Sequence, residues 1–208
     1  MKNVIAITAC LKRCSVAILY ENNIYEIDED MDAPTNLVWL AENLIKSNNI
    51  NLKKVNGIIT ASGPGSFTGI RTAQSFAKGL ALSLKIPAAS VDYFDVIKKL
   101  YMRRNNINVA ETMVAVIKSE KGQVYYKIYD QNLDIGVSAY DALSKILNNN
   151  IILVGDAVEE VSYCSDSKIV NVYKVTDFKQ AKYLLDFIDN ITVESKIFPL
   201  YVNAQKKC

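Results

Sequence analysis

The run Gly63-Pro64-Gly65-Ser66-Phe67-Thr68-Gly69-Ile70-Arg71 constrains this chain more than any other stretch. An apolar segment, Val55 to Thr60, leads into it, and a helical pattern leads out from Ile70. Glycine admits positive φ and lets a backbone or a ligand approach closely. The unbonded amides that open the following helix favour an anion. Two readings follow: a phosphate loop, or a tight strand-to-helix turn with Phe67 as a hydrophobic plug. The spacing fits neither common phosphate motif. A P-loop needs Gly-x-x-x-x-Gly-Lys-Ser/Thr, whereas Gly63 and Gly69 are six apart and Ile70-Arg71 follows. The dinucleotide pattern places its third glycine one position earlier than Gly69. Spacing therefore favours the turn and leaves the nucleotide loop open.

The flanking pattern places the run inside an α/β chain. Val4 to Ile7, Ser15 to Tyr20 and Ile24 to Asp28 read as three strands joined by short turns. Pro34-Thr35-Asn36 resembles a helix start, and Leu37, Leu40, Ala41, Leu44 and Ile45 follow at helical spacing. Beyond the run, Ala73, Ala77, Leu80, Ala81 and Leu84 line one side of a second helix. Pro87 to Val91 is a fifth strand, and Asp92 caps a third helix through about Arg103. The polar stretch from Asn105 to Thr112 reads as a boundary, giving halves at 1–104 and 105–208. The second half offers strands at Met113–Ile117, Gln123–Tyr129, Ile151–Val154 and Lys168–Lys174. Its helices are expected at Tyr140–Leu147 and Gln180–Ile188. It repeats the first theme in reduced form. That order predicts the actin/sugar-kinase/Hsp70 superfamily fold, with mixed sheets flanked by helices.

Composition excludes several chemistries. The chain has no histidine, so a Ser-His-Asp triad, a Cys-His dyad, a histidine general base and a His-ligated metal site are all unavailable. Cys10, Cys14, Cys164 and Cys208 lack redox or zinc spacing, which suits buried thiols in a reducing compartment. The net charge of +2 gives no overall footprint for strong nucleic-acid binding. Lys98, Lys99, Arg103 and Arg104 form a local basic group, read as a solvated helix face, with a small contribution to nucleic-acid docking as the alternative. Met1-Lys2-Asn3 leads into only a short apolar run, unlike a secretory signal. No segment reaches the roughly 20 apolar residues that span a bilayer. A cytosolic chain with no membrane contact is expected.

The glycine-rich run, continuing to Ala77-Lys78-Gly79-Leu80-Ala81, resembles the signature of the bacterial TsaB (YeaZ) family. Ala6-Ile7 with Cys14-Ser15-Val16-Ala17 resembles that family's opening hairpin. Lys121-Gly122-Gln123-Val124-Tyr125, Val154-Gly155-Asp156 and Pro199-Leu200-Tyr201-Val202 match its later landmarks in order. The resemblance implies a non-catalytic paralogue of the metal-binding TsaD, supporting threonylcarbamoyladenosine synthesis on tRNAs that read codons starting with A. It implies pairing with a TsaD-like catalytic subunit, cooperation with a TsaE-like ATPase, contact with tRNA only through the complex, and a homodimer through the same surface. The helices at Leu37–Ser47 and Ile70–Leu84 would carry the pairing face. Its candidates are Leu37, Leu40, Ala41, Leu44, Ile70, Ala73, Gln74 and Ala77. Gly63, Pro64, Gly65, Ser66, Phe67, Thr68, Gly69 and Arg71 form the loop that launches the second helix. No catalytic or metal-binding residue is assigned.

Three departures bear on cofactors. Thr8 stands where the family usually has an aspartate, Lys118 where it commonly has a second, and Pro34-Thr35 near its His-Ser pair. A threonine hydroxyl is a poorer ligand for a hard cation than a carboxylate. No nucleotide is therefore expected on this chain alone, with ATP or ADP placed at the interface with the catalytic partner. The other readings are a small-molecule kinase, a glycoprotease-like hydrolase, and an interaction protein with an unknown partner. The kinase needs the missing carboxylate at Thr8, and the hydrolase lacks a base or ligand set.

Overall fold

The computed structural model describes residues 2–11, 13–30, 36–105, 112–119, 122–129, 134–146, 151–164, 169–174, 180–200 and 202. Pro34, Thr35, most of the polar boundary after Asn105, and Cys208 lie outside them.

Strands β1 (Val4–Thr8), β2 (Arg13–Tyr20) and β3 (Asn23–Asp30) form an antiparallel meander. Helix α1 (Leu37–Ser47) leads to β4 (Gly57–Gly63), which pairs parallel to β1. Helix α2 (Phe67–Leu84) then crosses to β5 (Ala88–Asp92), parallel to β4. The first sheet runs β3-β2-β1-β4-β5.

The strand period of two sorts its side chains by size. Ile5, Ile7, Val16, Ile18 and Ile58 face α1 and α2 and share one core with Leu37, Leu40, Ala41, Leu44, Ala73, Ala77 and Ala81. Full burial of a side chain such as Leu40 contributes about 2 kcal/mol. Ala6, Ala17 and Ser15 alternate to the other face, where small residues let a helix approach closely. That helix is α6 (Gln180–Leu184), which packs on β1 and β2, and its Ala181 amide donates to Ser15 Oγ at 3.0 Å.

After α3 (Tyr93–Asn105), the second sheet repeats the plan. Strands β6 (Thr112–Lys118), β7 (Gln123–Tyr129) and β8 (Asp134–Ala139) form a meander. Helix α4 (Tyr140–Ile146), β9 (Ile151–Gly155), α5 (Val158–Tyr163) and β10 (Ile169–Lys174) follow. The order β10-β9-β6-β7-β8 is the first sheet's order with each strand replaced by its counterpart. This doubled topology is the actin/sugar-kinase/Hsp70 type.

The structure differs from the sequence expectation in three places. Strand β8 and helix α5 are additional, so each half carries a full set of five strands. The helix expected at Gln180–Ile188 ends at Leu184 and continues as a 3₁₀ turn, Leu185–Asn190, with Phe187 off the helical region at φ −113°. The cut expected at 104/105 is replaced by an exchange. One unit comprises Met1–Tyr93 with Lys179–Leu200, and the other Phe94–Phe178 with Tyr201–Cys208. The helix that follows each sheet in sequence belongs to the other unit's packing.

Candidate functional site

The glycine-rich run is the junction of β4 and α2. Gly63 ends the strand at φ +103°, the Gly63–Pro64 bond is cis, and Gly65 sits at φ +148°. Ser66 is the N-cap of α2, its Oγ accepting the Gly69 amide at 3.2 Å. The β1–β2 loop presses into this turn. The Ser66 amide donates to the Cys10 carbonyl at 2.6 Å. A Cβ on Gly65 would lie 2.1 Å from the Cys10 oxygen, and one on Gly69 would lie 2.0 Å from the Ala9 oxygen. The glycines therefore serve a backbone-to-backbone approach. The space in which a phosphate would need amide donors is occupied by two carbonyl oxygens, whose negative ends repel an anion.

The neighbouring side chains fit a nucleotide no better. Thr8 is fully buried, and its hydroxyl accepts the Cys10 amide at 3.4 Å. Burial pushes the Cys10 thiol up to about 12, against smaller opposing effects from the Thr8 hydroxyl and the Gly63 main chain, so it stays protonated at neutral pH. Neither group is a ligand for magnesium, and the residues present do not fit a metal-bound nucleotide in this turn.

The second half repeats the device. A Cβ on Gly155, at φ +148°, would meet the Val116 carbonyl oxygen at 1.7 Å. Lys118 donates its amide to Asp156 Oδ1 at 2.7 Å, and its ammonium pairs with Glu160 Oε1 at 2.5 Å. The hydrogen bond to Glu160 raises the Lys118 pKa, and burial raises that of Asp156. The position where a carboxylate would be expected thus carries a cation that ties β6 to α5. Among the described residues no group of three or more His, Cys, Asp or Glu side chains could hold a metal ion.

The C-terminal segment closes over the first turn. The Leu200 amide donates to the Ser62 carbonyl at 2.7 Å. Gln74 Nε2 donates to the carbonyls of Ala61 at 3.3 Å and Phe198 at 3.1 Å. Ser90 Oγ accepts the Phe198 amide at 3.1 Å.

All eight candidates for the pairing face are buried within their own unit. Leu37, Leu40, Ala41, Leu44, Ala73 and Ala77 belong to the core against the sheet; Ile70 packs at the turn beside Gly63, and Gln74 bonds to carbonyls. The dominant apolar stripe of each helix faces its own sheet, so an outer contact falls to other residues. These are Val38, Trp39, Phe67 and Leu82, exposed by 57%, 52%, 55% and 81%. Phe67 is accordingly no plug: it lies outside the core, and the Arg71 guanidinium stacks 3.9 Å from its ring centre. Phe67, Arg71, Ser75, Lys78 and Leu82 form one exposed stripe along α2. Apolar residues off the main helical period were the signal that would have found this face.

Two five-stranded halves of one topology, each with a glycine at or just after a strand end pressed by a carbonyl, define an actin/Hsp70-type fold of duplicated design. A family model described as TsaD, tRNA N6-adenosine threonylcarbamoyltransferase, matches residues 34–182, and the chain belongs to that family. Over its whole length it is similar to TsaB proteins. The tRNA threonylcarbamoyladenosine biosynthesis protein TsaB of Buchnera aphidicola subsp. Baizongia pistaciae is 26% identical, over 99% of this chain and 100% of that protein. TsaB of Buchnera aphidicola subsp. Acyrthosiphon pisum is 29% identical, over 90% of this chain and 89% of its own length. The solved YeaZ from Pseudomonas aeruginosa superposes with a TM-score of 0.77 at 22% identity, over 97% of this chain and 100% of that one.

Proposed function

We propose that this chain is a non-catalytic partner subunit in threonylcarbamoyladenosine synthesis on tRNA. It pairs with a TsaD-like catalytic relative through the outer sides of α1 and α2. The observation that carries the pairing is the exposure of Val38, Trp39, Phe67 and Leu82 on two helices whose inner sides are already packed. A second copy of the chain competes for the same face as a homodimer. The absence of histidine from the sequence supports the non-catalytic role, as does the ion pair at Lys118 in place of a carboxylate. The carbonyl-filled turns support a chain that binds no ATP or ADP unaided. Nucleotide then lies at the interface with the catalytic partner or on a TsaE-like ATPase, and tRNA reaches this subunit through the complex. No helix among the described residues is long and apolar enough to cross a membrane, which accords with a cytoplasmic complex.

Pull-down with the TsaD-like subunit of the same cell tests the reading. The wild-type chain retains it, and Trp39→Glu with Leu82→Glu loses it while the circular dichroism spectrum stays unchanged. Retention by that variant at wild-type affinity would place the contact on another face. A wild-type chain that fails to retain the catalytic relative, with tRNA modification unchanged on depletion, would overturn the function itself. Calorimetric titration with ATP is expected to show no binding by the isolated chain.

A further inference from the structure

Strand β3 is an outer strand of the first sheet, packed on both faces and open along one side of its backbone. Tyr25 and Ile27 pack against the core shared with α1. Glu26 and Asp28 alternate to the other face. There Lys182 of α6 pairs with Glu26 at 3.5 Å, and Arg13 of β2 pairs with Asp28 at 2.7 Å. Strand β2 takes one side of the β3 backbone, and among the described residues no strand takes the other.

The hairpin turn fixes which backbone groups point outward. Tyr20 pairs with Asn23 across a two-residue loop, and Glu21 and Asn22 sit at φ 49° and 70°. Positive φ at both central residues marks a type I′ turn, whose flanking residues form a hydrogen-bonded pair. Bonded and non-bonded pairs then alternate along the ladder. Asn23, Tyr25, Ile27 and Glu29 bond to β2, and the main-chain groups of Ile24, Glu26, Asp28 and Asp30 point away from it.

Edge strands are ordinarily blunted by a short length, a proline, a lysine or a bulge. Strand β3 runs for eight residues, holds no proline or lysine, and pairs with β2 in one unbroken register. Its charge has one sign. Residues 21–32 read Glu-Asn-Asn-Ile-Tyr-Glu-Ile-Asp-Glu-Asp-Met-Asp, six acids and no base, out of 22 acids in the whole chain. Lys54, Lys182 and Arg13 pair with Glu21, Glu26 and Asp28, so the segment holds twice as many acids as those three cations balance. A second copy of the chain would bring six more acids alongside, and like charges on neighbouring strands repel. A basic strand meets the opposite situation.

We infer that the outer edge of β3 accepts an extended segment of a partner protein, rich in lysine or arginine, as a sixth strand of the first sheet. Main-chain hydrogen bonds supply the attachment, and the acids select the sign of the partner's charge. The docking uses none of Val38, Trp39, Phe67 or Leu82, so it stands apart from the pairing proposed above and does not depend on it.

The test titrates the isotope-labelled full-length chain with a capped eight-residue peptide that alternates lysine and threonine, read by amide shifts in NMR. Shift changes are expected to centre on residues 23–30, with slowed hydrogen exchange at the Ile24 and Asp28 amides. The same peptide with every backbone nitrogen methylated keeps the charge and loses the donors. It should bind at least about 10-fold more weakly, the loss that two ordinary hydrogen bonds represent. A glutamate–threonine peptide should not bind. Ile24→Pro, which removes an outward amide, and Glu29→Lys, which reverses a charge on the strand, should each weaken binding by about 3- to 10-fold. Equal binding of the methylated or the glutamate peptide, shift changes centred away from β3, or no binding by the wild-type chain at about 1 mM peptide each overturns the inference. So does protection of the same amides on raising the concentration of the chain alone, which would assign the edge to a second copy. Should Ile24→Pro fail to fold, the methylated peptide decides the backbone contribution on the wild-type chain. Pull-down of the catalytic relative by Glu29→Lys is expected to be unchanged; its loss together with peptide binding would place the acidic edge within the pairing contact and overturn the inference.

Discussion

Gly69 and Gly79 lie on the same helix and predict opposite responses to one substitution. Alanine is favoured over glycine inside a helix by about 0.5–1 kcal/mol. Gly79 has nothing within 4 Å of an added Cβ, so Gly79→Ala should realise that gain. At Gly69 the added Cβ would lie 2.0 Å from the Ala9 carbonyl oxygen, against the 3.0 Å below which real contacts essentially do not occur. The β1–β2 loop would have to retreat by at least that difference. Its next carbonyl, that of Cys10, holds the Ser66 amide at 2.6 Å, so the retreat also pulls on the bond that seats α2. Overpacking of this kind costs about 1–3 kcal/mol, which exceeds the helical gain. For a chain of this length each kcal/mol shifts Tm by about 2–4 °C. Thermal melts followed by circular dichroism should thus place Gly79→Ala about 1–4 °C above wild type and Gly69→Ala, net of the helical gain, about 1–8 °C below it. Equal and positive shifts would show that the loop does not press on the turn, and the exclusion of phosphate from it would lose its basis.

Gln74→Leu should destabilise the chain by about 1–3 kcal/mol in urea titration, because the carbonyls of Ala61 and Phe198 lose a buried donor. Alkylation by iodoacetamide followed by peptide mass spectrometry should label exposed Cys164 in the native chain and reach buried Cys10 and Cys14 only after unfolding. The raised pKa of Asp156 means that the folded state holds that proton more tightly than the unfolded chain. Its stabilising contribution is complete below the ordinary aspartate value and is lost as pH rises through the raised one. Asp156→Asn should therefore gain stability over wild type at neutral pH, the gap closing on acidification. A gap that is constant with pH would refute the assignment.

Much of the fold was legible because strands and turns are short-range features. The first five strands and two helices follow from Ile, Val and Leu spacing and from Asn22-Asn23 and Gly63 to Gly69. Strand β8, Asp-Ile-Gly-Val-Ser-Ala, is half polar and carries a glycine, so its pairing with β7 supplies an identity that its composition does not. Helix α5 is six residues long, too short for periodicity to register. The apolar stripes expected to carry pairing line the chain's own core, for a related reason. A stripe such as Leu37, Leu40, Ala41 and Leu44 announces burial, and burial against the chain's own sheet looks the same in sequence as burial against a partner. Trp39 and Leu82, each an apolar residue on the polar side of its own helix, carry the signal of an outer face that the stripe does not.

The exchange of helices between units also sets the order in which the molecule can be completed. The strands of the first sheet leave the ribosome early, but the face lined by Ala6, Ala17 and Ser15 is covered by α6, within Lys179–Leu200. At about 5–20 residues/s, the intervening chain takes roughly 5–20 s to make. During that interval the nascent amino-terminal sheet presents a naked apolar side, so the unit whose sheet is made first stays incomplete until the second sheet has been made. A nascent chain stalled before residue 179 should accordingly be sensitive to protease throughout β1 and β2, and one stalled on an added C-terminal linker long enough to release Leu200 from the ribosome should be protected there.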